Sequence, residues 1–130
     1  MLKEQIHRQN FEKLSVWQKA VAFANECYRQ TKTFPKEEIF GLTSQIRRSS
    51  VSISSNLAEG SSRSSKQDFS RFIEIATGSA FETFSLLTIA KEQKMINITD
   101  HDRLAKSCTE IIQMLSGLRR SLKRIPMNIS

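Results

Sequence analysis

Two carboxylates, Glu74 and Glu82, stand among polar residues in an otherwise apolar-periodic part of the chain. A carboxylate held in such surroundings could serve as a general base. Catalysis of that kind also needs a nucleophile, a metal or an oxyanion arrangement beside the base, and none accompanies this pair. The alternative role is structural. Gln45, Arg48, Asn56, Glu74, Ser79 and Glu82 are expected to form a polar layer between two helices, satisfying one another and fixing register.

Other chemistries find less support. Di-metal sites in helical bundles use two Glu-x-x-His pairs on facing helices, and the sequence has one alone, Glu4 with His7 in the polar N-terminal stretch. His7 falls in a polar N-terminal stretch and His101 in a turn, so both are expected to be solvated or capping. Cys27 and Cys108 lack a CxxC spacing or a neighbouring His, which leaves zinc without a ligand set. Each sits in an apolar-periodic segment and is expected to be a small buried hydrophobe in a reducing cytoplasm. No GxGxxG or GxxxxGK[ST] stretch is present. The expectation is a protein that is not an enzyme, with no catalytic, cofactor-binding or metal residues and no cofactor.

Charge offers a more direct lead. Lys and Arg total 20 against 13 acidic residues, a formal net charge of +7 over 130 residues. Such an excess attracts polyanions at long range, although it also maintains solubility. Arg63, Lys66 and Arg71 lie around one turn, and Arg119, Arg120, Lys123 and Arg124 form a denser group near the C-terminus. These seven are the candidate nucleic-acid-binding residues. Arg47 and Arg48 are expected in internal salt bridges. Most of the eight Phe residues fall on apolar stripes, so binding should be electrostatic and salt-dependent, with little base stacking.

Four amphipathic segments would have to position these groups. Ser15 and Gln18 fit a capping box that opens the first. Leu14, Trp17, Val21, Ala24 and Tyr28 follow at spacings of three and four, beside a second row of Val16, Ala20, Phe23 and Cys27. Two apolar rows imply more than one neighbour. This helix should end near Thr33, ahead of Pro35. Pro35, Glu37 and Glu38 suit the first turn of a second helix. Its stripe of Ile39, Leu42, Ile46, Ser49, Ile53 and Leu57 runs through "IRRSSVSISSNLAEGSSRSS", in which nine residues are serine. The persistence of the period marks the serines as helical and closely packed. Gly60 is the expected stop.

Ser65 with Asp68 can cap a third helix, whose stripe is Phe69, Phe72, Ile73, Ala76, Ala80, Phe84, Leu87 and Ala90. Thr99 or Asp100 can cap a fourth, with Leu104, Cys108, Ile111, Ile112, Leu115, Leu118, Leu122 and Ile125 inside and Pro126 at its end. Short turns make sequential neighbours antiparallel. A second-to-third hairpin centred near Ser62 would set Gln45 opposite Glu82, Ser52 opposite Glu74, and Arg47 or Arg48 opposite Ser79. In an up-down bundle the ends of the second and fourth helices point the same way, which would bring the two basic groups to one end.

The stretches "FEKLSVWQKA", "FPKEEIFGLTSQIRRSSVSISSNLAEGSSR", "FSRFIEIATGSAFET" and "IIQMLSGLRRSLK" resemble the large-subunit ribosomal RNA intervening-sequence proteins of bacteria. The likeness covers roughly residues 11 to 124 and rests on "SQIRRSS", "NLAEG" and "GSAFE" at this separation. It implies left-handed up-down bundles assembled as pentameric rings. A more distant resemblance is to accessory proteins of diversity-generating retroelements, which bind nucleic acid and a reverse transcriptase.

The expected architecture is therefore all-α, an antiparallel up-down-up-down four-helix bundle over residues 11–126, with a polar arm at 1–10 and a tail at 127–130. The expected partners are further copies of the chain (a pentamer by resemblance), RNA or DNA, and, as the alternative, a protein such as a reverse transcriptase. The apolar runs look too short to span a bilayer and the N-terminus too polar for a secretory signal, so no membrane partner is expected and the compartment is cytoplasmic.

Overall fold

The computed structural model describes residues 11–124, the side chain of Arg124 excepted. The expectations for the arm at 1–10 with His7, for Ile125 and Pro126, and for the tail at 127–130 lie outside the described residues.

The first helix, α1 (Ser15–Thr31), buries Val16, Ala20, Phe23, Ala24, Cys27 and Thr31. The inner row therefore faces the core, and of the outer row only Ala24 is buried. Leu14 and Trp17 pack against the core's edge, and the Phe11 ring meets the Trp17 ring edge-on at 5.2 Å. Ser15 does not cap this helix. It already lies inside the first turn, so Leu14 holds the cap position, and the Gln18 amide donates to the Glu12 carbonyl at 2.8 Å.

Pro35, Glu37 and Glu38 also act differently from the expectation. Lys36–Glu38 form one 3₁₀ turn, and the second helix, α2 (Leu42–Ser61), starts only after Gly41. Glu38 caps it from outside, its carboxylate accepting from the Leu42 N–H at 3.1 Å. A Cβ at Gly41 would sit 2.7 Å from that same carboxylate oxygen, so a side chain there would push the Glu38 carboxylate from its cap position. Ile39, separated from the helix by this turn, leaves the core stripe and is 55% exposed.

The serine-rich stretch is helical throughout α2. Ser49 and Ser50 are buried, and their hydroxyls donate to the Ile46 and Arg47 carbonyls one turn back. Ser54 and Ser55 reach Val51, and Ser61 reaches Ala58, in the same way. A hydroxyl satisfied by its own helix can be buried without a desolvation penalty, and its small volume lets a neighbour approach.

Gly60 is not a stop. It lies in the last full turn of α2, completely packed, and a Cβ built there would lie 2.6 Å from the Phe72 Cβ and 3.0 Å from the Phe69 ring. Its task is to admit the third helix, α3 (Lys66–Glu92), which Ser65 caps by accepting from the Asp68 N–H at 3.0 Å. Ile73, Ala76, Ala80, Thr83, Leu86, Leu87 and Ala90 face inward, whereas Phe84 is 36% exposed. The apolar runs are expected to be too short for a bilayer, but α3 is long and apolar enough by length and composition alone, a test that the core helix of a soluble bundle also passes. It ends at Lys94 in the left-handed region (φ 63°), where the Met95 and Lys94 N–H groups return to the Ala90 and Lys91 carbonyls.

The fourth helix, α4 (Ile98–Arg124), is capped by Asn97, which accepts from the Asp100 N–H at 2.7 Å. Thr99 and Asp100 are already within its first turn. Leu104, Cys108, Ile111 and Leu115 are buried, and Ile112, Leu118 and Leu122 pack at the margin. His101 is likewise buried, not solvated, its ring within 3.2 Å of the Thr88 hydroxyl on α3.

Each helix packs on two others: α1 on α2 and α4, α3 on α2 and α4. The described residues thus form the expected all-α, antiparallel up-down-up-down four-helix bundle. The α2–α3 contact is the most extensive. Lys19–Glu110 at 3.0 Å and Arg103–Glu26 at 2.6 Å cross the α1–α4 seam.

The seam at Gly60 has a measurable consequence. Gly60→Ala should lower unfolding free energy by about 1–3 kcal/mol, because the Phe72 Cβ is fixed to backbone and the helices must part. At Gly78 an added Cβ meets nothing within 4 Å. Gly78→Ala should therefore be neutral or stabilise by up to about 1 kcal/mol. Urea denaturation of the two variants distinguishes steric closeness from helix propensity.

Candidate functional site

The packing of Gly60 against Phe69 and Phe72 fixes where α3 starts relative to α2. Because Gly60 is one residue from the end of α2, Lys66–Asp68 project beyond that end. The final turns of α4 run alongside this overhang. Between them lies a cleft of about 510 Å³ lined by Lys66, Gln67, Ser70, Arg71, Glu74, Arg119, Leu122 and Lys123.

Helix spacing explains the lining. Lys66, Ser70 and Glu74 lie four apart on α3, and Arg119 and Lys123 lie four apart on α4, so each set shares a face. Arg119 links the two helices. Its Nε donates to the Ser70 hydroxyl at 3.3 Å, and its guanidinium meets the Glu74 carboxylate at 3.2 Å. Both partners are well exposed, with side chains 40% and 54% accessible, so the pair adds only about 0.2–1 kcal/mol. Four cations line the cleft against one carboxylate, which leaves a local excess of positive charge.

The seven candidate binding residues separate into groups. Lys66, Arg71, Arg119 and Lys123 meet in the cleft. Arg63 pairs with Glu59 at 2.8 Å and lies over the Phe72 ring at 4.9 Å, which ties it to the α2–α3 turn. Arg120 is exposed and donates to the Ser116 hydroxyl one turn back at 2.8 Å. Arg124 closes α4, and its side chain is outside the description. Sequence reasoning missed Ser70, Gln67 and Leu122. The four-residue spacing from Lys66 to Ser70 to Glu74 was the available signal for Ser70.

The anticipated polar layer takes another form. Ser52 meets Ser79, five residues beyond Glu74, because the overhang shifts the hairpin register; the Ser79 hydroxyl donates to Ser52 at 2.9 Å. Next to it, the buried Thr83 hydroxyl lies 2.7 Å from Ser49 and 2.8 Å from the Ser79 carbonyl. Asn56 donates to the Ser52 carbonyl and hydroxyl. Gln45, Arg48 and Glu82 are exposed and line a groove above these hydroxyls, while Glu74 turns away to Arg119. The α2–α3 polar contacts are thus between short hydroxyls, Thr83–Ser49 buried and Ser79–Ser52 half-buried, which need no charge desolvation. Arg47 does not form the expected carboxylate pair. It donates to the Thr31 hydroxyl at 2.9 Å and lies over the Tyr28 ring at 4.7 Å.

No group of three or more His, Cys, Asp or Glu that could hold a metal occurs among the described residues. The two free thiols are both buried. Burial pushes Cys27 up to about 12 and Cys108 up to about 11 from the ordinary 9.0, with a Ser50 hydrogen bond opposing the shift at Cys27. A thiol held neutral in this way is a poor nucleophile.

A family model described as "23S rRNA-intervening sequence protein" matches residues 12–117. The chain belongs to that family. Its architecture also matches the crystal structure of a protein of unknown function from the S23 ribosomal protein family of Bacteroides thetaiotaomicron. That match has a TM-score of 0.73 and 26% identity, and it covers 81% of this chain and 98% of the other. No curated protein matches the chain.

The buried thiols give a pH prediction. Below about pH 9 both folded and unfolded thiols are protonated and contribute no difference. Above it the unfolded chain loses these protons first, so stability should fall as pH rises from about 9 toward 12. Urea midpoints across that range should decline. Iodoacetamide at neutral pH should label both cysteines only after unfolding.

Proposed function

We propose that this chain is a non-enzymatic, self-associating cytoplasmic bundle that binds RNA through the basic end formed by α3 and α4. The observation that carries the reading is the convergence of Lys66, Arg71, Arg119 and Lys123 on one cleft. Cations on two rigid helices form a fixed charge pattern and can neutralise phosphates without ordering a loop. The aromatic side chains give little support to base stacking as the main source of affinity. Phe69 packs against the core and Phe72 lies under Arg63, so contact with the phosphate backbone accounts better for binding here.

Self-association is supported by apolar side chains that the single bundle leaves uncovered. Phe40 is 94% exposed, Ile98 69% and Phe81 59%. A ring of copies would repeat the basic cleft and raise affinity by multivalency. The pentameric number follows from the family resemblance.

The same basic cleft also fits a second reading, in which the assembled bundle is a scaffold that captures an acidic surface of another protein, such as a reverse transcriptase. Charge reversal at Arg119 and Lys123 separates the two. Under the scaffold reading, Arg119→Glu with Lys123→Glu abolishes protein capture and changes RNA affinity little.

Titration of labelled single-stranded RNA over a salt series tests the first reading. Affinity should fall linearly in log–log form, with a slope of about −0.7 per phosphate neutralised. Replacing Arg119 and Lys123 together by Gln should weaken binding at low salt by about tenfold or more and flatten the slope. Absence of binding at low salt overturns the RNA proposal. Light scattering should return a multiple of 14.9 kDa, and a monomer at working concentration overturns self-association.

A further inference from the structure

Arg119 is the only cation in the cleft lining that is tied to both helices, and the carboxylate that ties it lines the same cleft. We infer that Glu74 is an internal stand-in for an RNA phosphate: it occupies Arg119 in the free protein and is displaced when a phosphodiester enters. This rests on the RNA reading above and identifies how its site is controlled.

Three features lead to this conclusion. The first is chemical equivalence. A carboxylate and a phosphate present similar oxygen acceptors to a guanidinium, so they compete for the same N–H donors. The second is weakness. With both side chains well exposed, the Glu74–Arg119 pair is of the screened surface kind, and a phosphate on a strand already held by the neighbouring cations can replace it. The third is pre-positioning. Ser70 accepts from Arg119 Nε at 3.3 Å, so one contact is independent of Glu74 and can hold the guanidinium in the cleft during the exchange.

The other cations make the displacement favourable. Lys66 and Arg71 on α3 and Lys123 on α4 line the same cleft. Their field attracts a polyanion as a whole, whereas Glu74 contributes one fixed negative charge that opposes it. Glu74 therefore sets a threshold. Isolated phosphate or short anions do not outcompete it, while a strand that engages several cations together does. Ser70 and Glu74 act as positioning residues, and Arg119 is the contacting group.

Glu74→Gln tests this directly. The side chain is exposed, so the variant should fold, and a thermal melt by circular dichroism confirms it. The variant should bind the RNA oligonucleotide about two- to fivefold more tightly at low salt, the range set by the weak pair it removes, with a salt slope close to the parent's because Arg119 meets a phosphate in both complexes. Glu110→Gln is the control. It makes the same change in net charge on α4 but releases Lys19 at the α1–α4 seam, away from the cleft. Its affinity and slope should stay near those of the parent.

Three outcomes overturn the inference, each in a different way. If the parent protein binds RNA and Glu74→Gln binds no more tightly, Glu74 is no competitor, and the RNA reading stands without it. If Glu74→Gln and Glu110→Gln tighten binding equally, the effect is one of overall charge and the site assignment falls. If neither the parent nor Glu74→Gln binds at low salt, the RNA reading fails and this inference fails with it.

Discussion

The close approach of α2 and α3 governs the rest of this molecule. Gly60 admits the Phe72 Cβ, and Ser49 and Ser52 admit Thr83 and Ser79 within hydrogen-bond distance. Larger side chains on α2 would hold the helices apart, while alanine would remove the cross-helix hydroxyl contacts. Serine meets both needs, because its hydroxyl can bond the carbonyl one turn back and still accept from a neighbour. The cost is a helix built from middling helix formers, held by tertiary contact more than by propensity.

That seam has consequences at the end of the bundle. Since Gly60 fixes the level of Phe72, α3 begins beyond the end of α2, and its first turns lie free beside α4. The cleft with its cations results from this offset. Cations elsewhere at the same end serve other purposes. Arg63 secures the α2–α3 turn through Glu59 and Phe72. Arg119 belongs to both categories, since it joins α3 to α4 while facing the cleft. Structural and binding roles are not exclusive for an exposed, weakly paired guanidinium.

Several local expectations gave way to packing. Ser15 has the sequence of an N-cap but lies one residue too far in, and Glu38 caps α2 from a separate turn. Pattern alone does not distinguish a cap residue from the first helical residue, because both positions accept serine. Gly60 resembled a terminator for a related reason: glycine is used both where the backbone turns and where another chain comes near. The place of His101 near a turn suggests solvent exposure, yet α4 starts three residues earlier and carries it inward against Thr88. Ile39 fitted the stripe numerically, but the break at Gly41 removed it from the helix that the stripe describes.

The sequence by itself determined the helical class, the number of helices and most of the core, because a spacing of three and four leaves a helix one inward face. It also carried the family likeness and the presence of two basic groups near one end of the bundle. Only the tertiary structure decided which cations meet, which hydroxyls touch across the seam, and that Glu74 faces Arg119 and not Ser52. Periodicity defines a face to within a turn, whereas the axial offset between two helices depends on steric contacts at single positions. Here Gly60 against Phe72 sets that offset, and no one-dimensional pattern contains it.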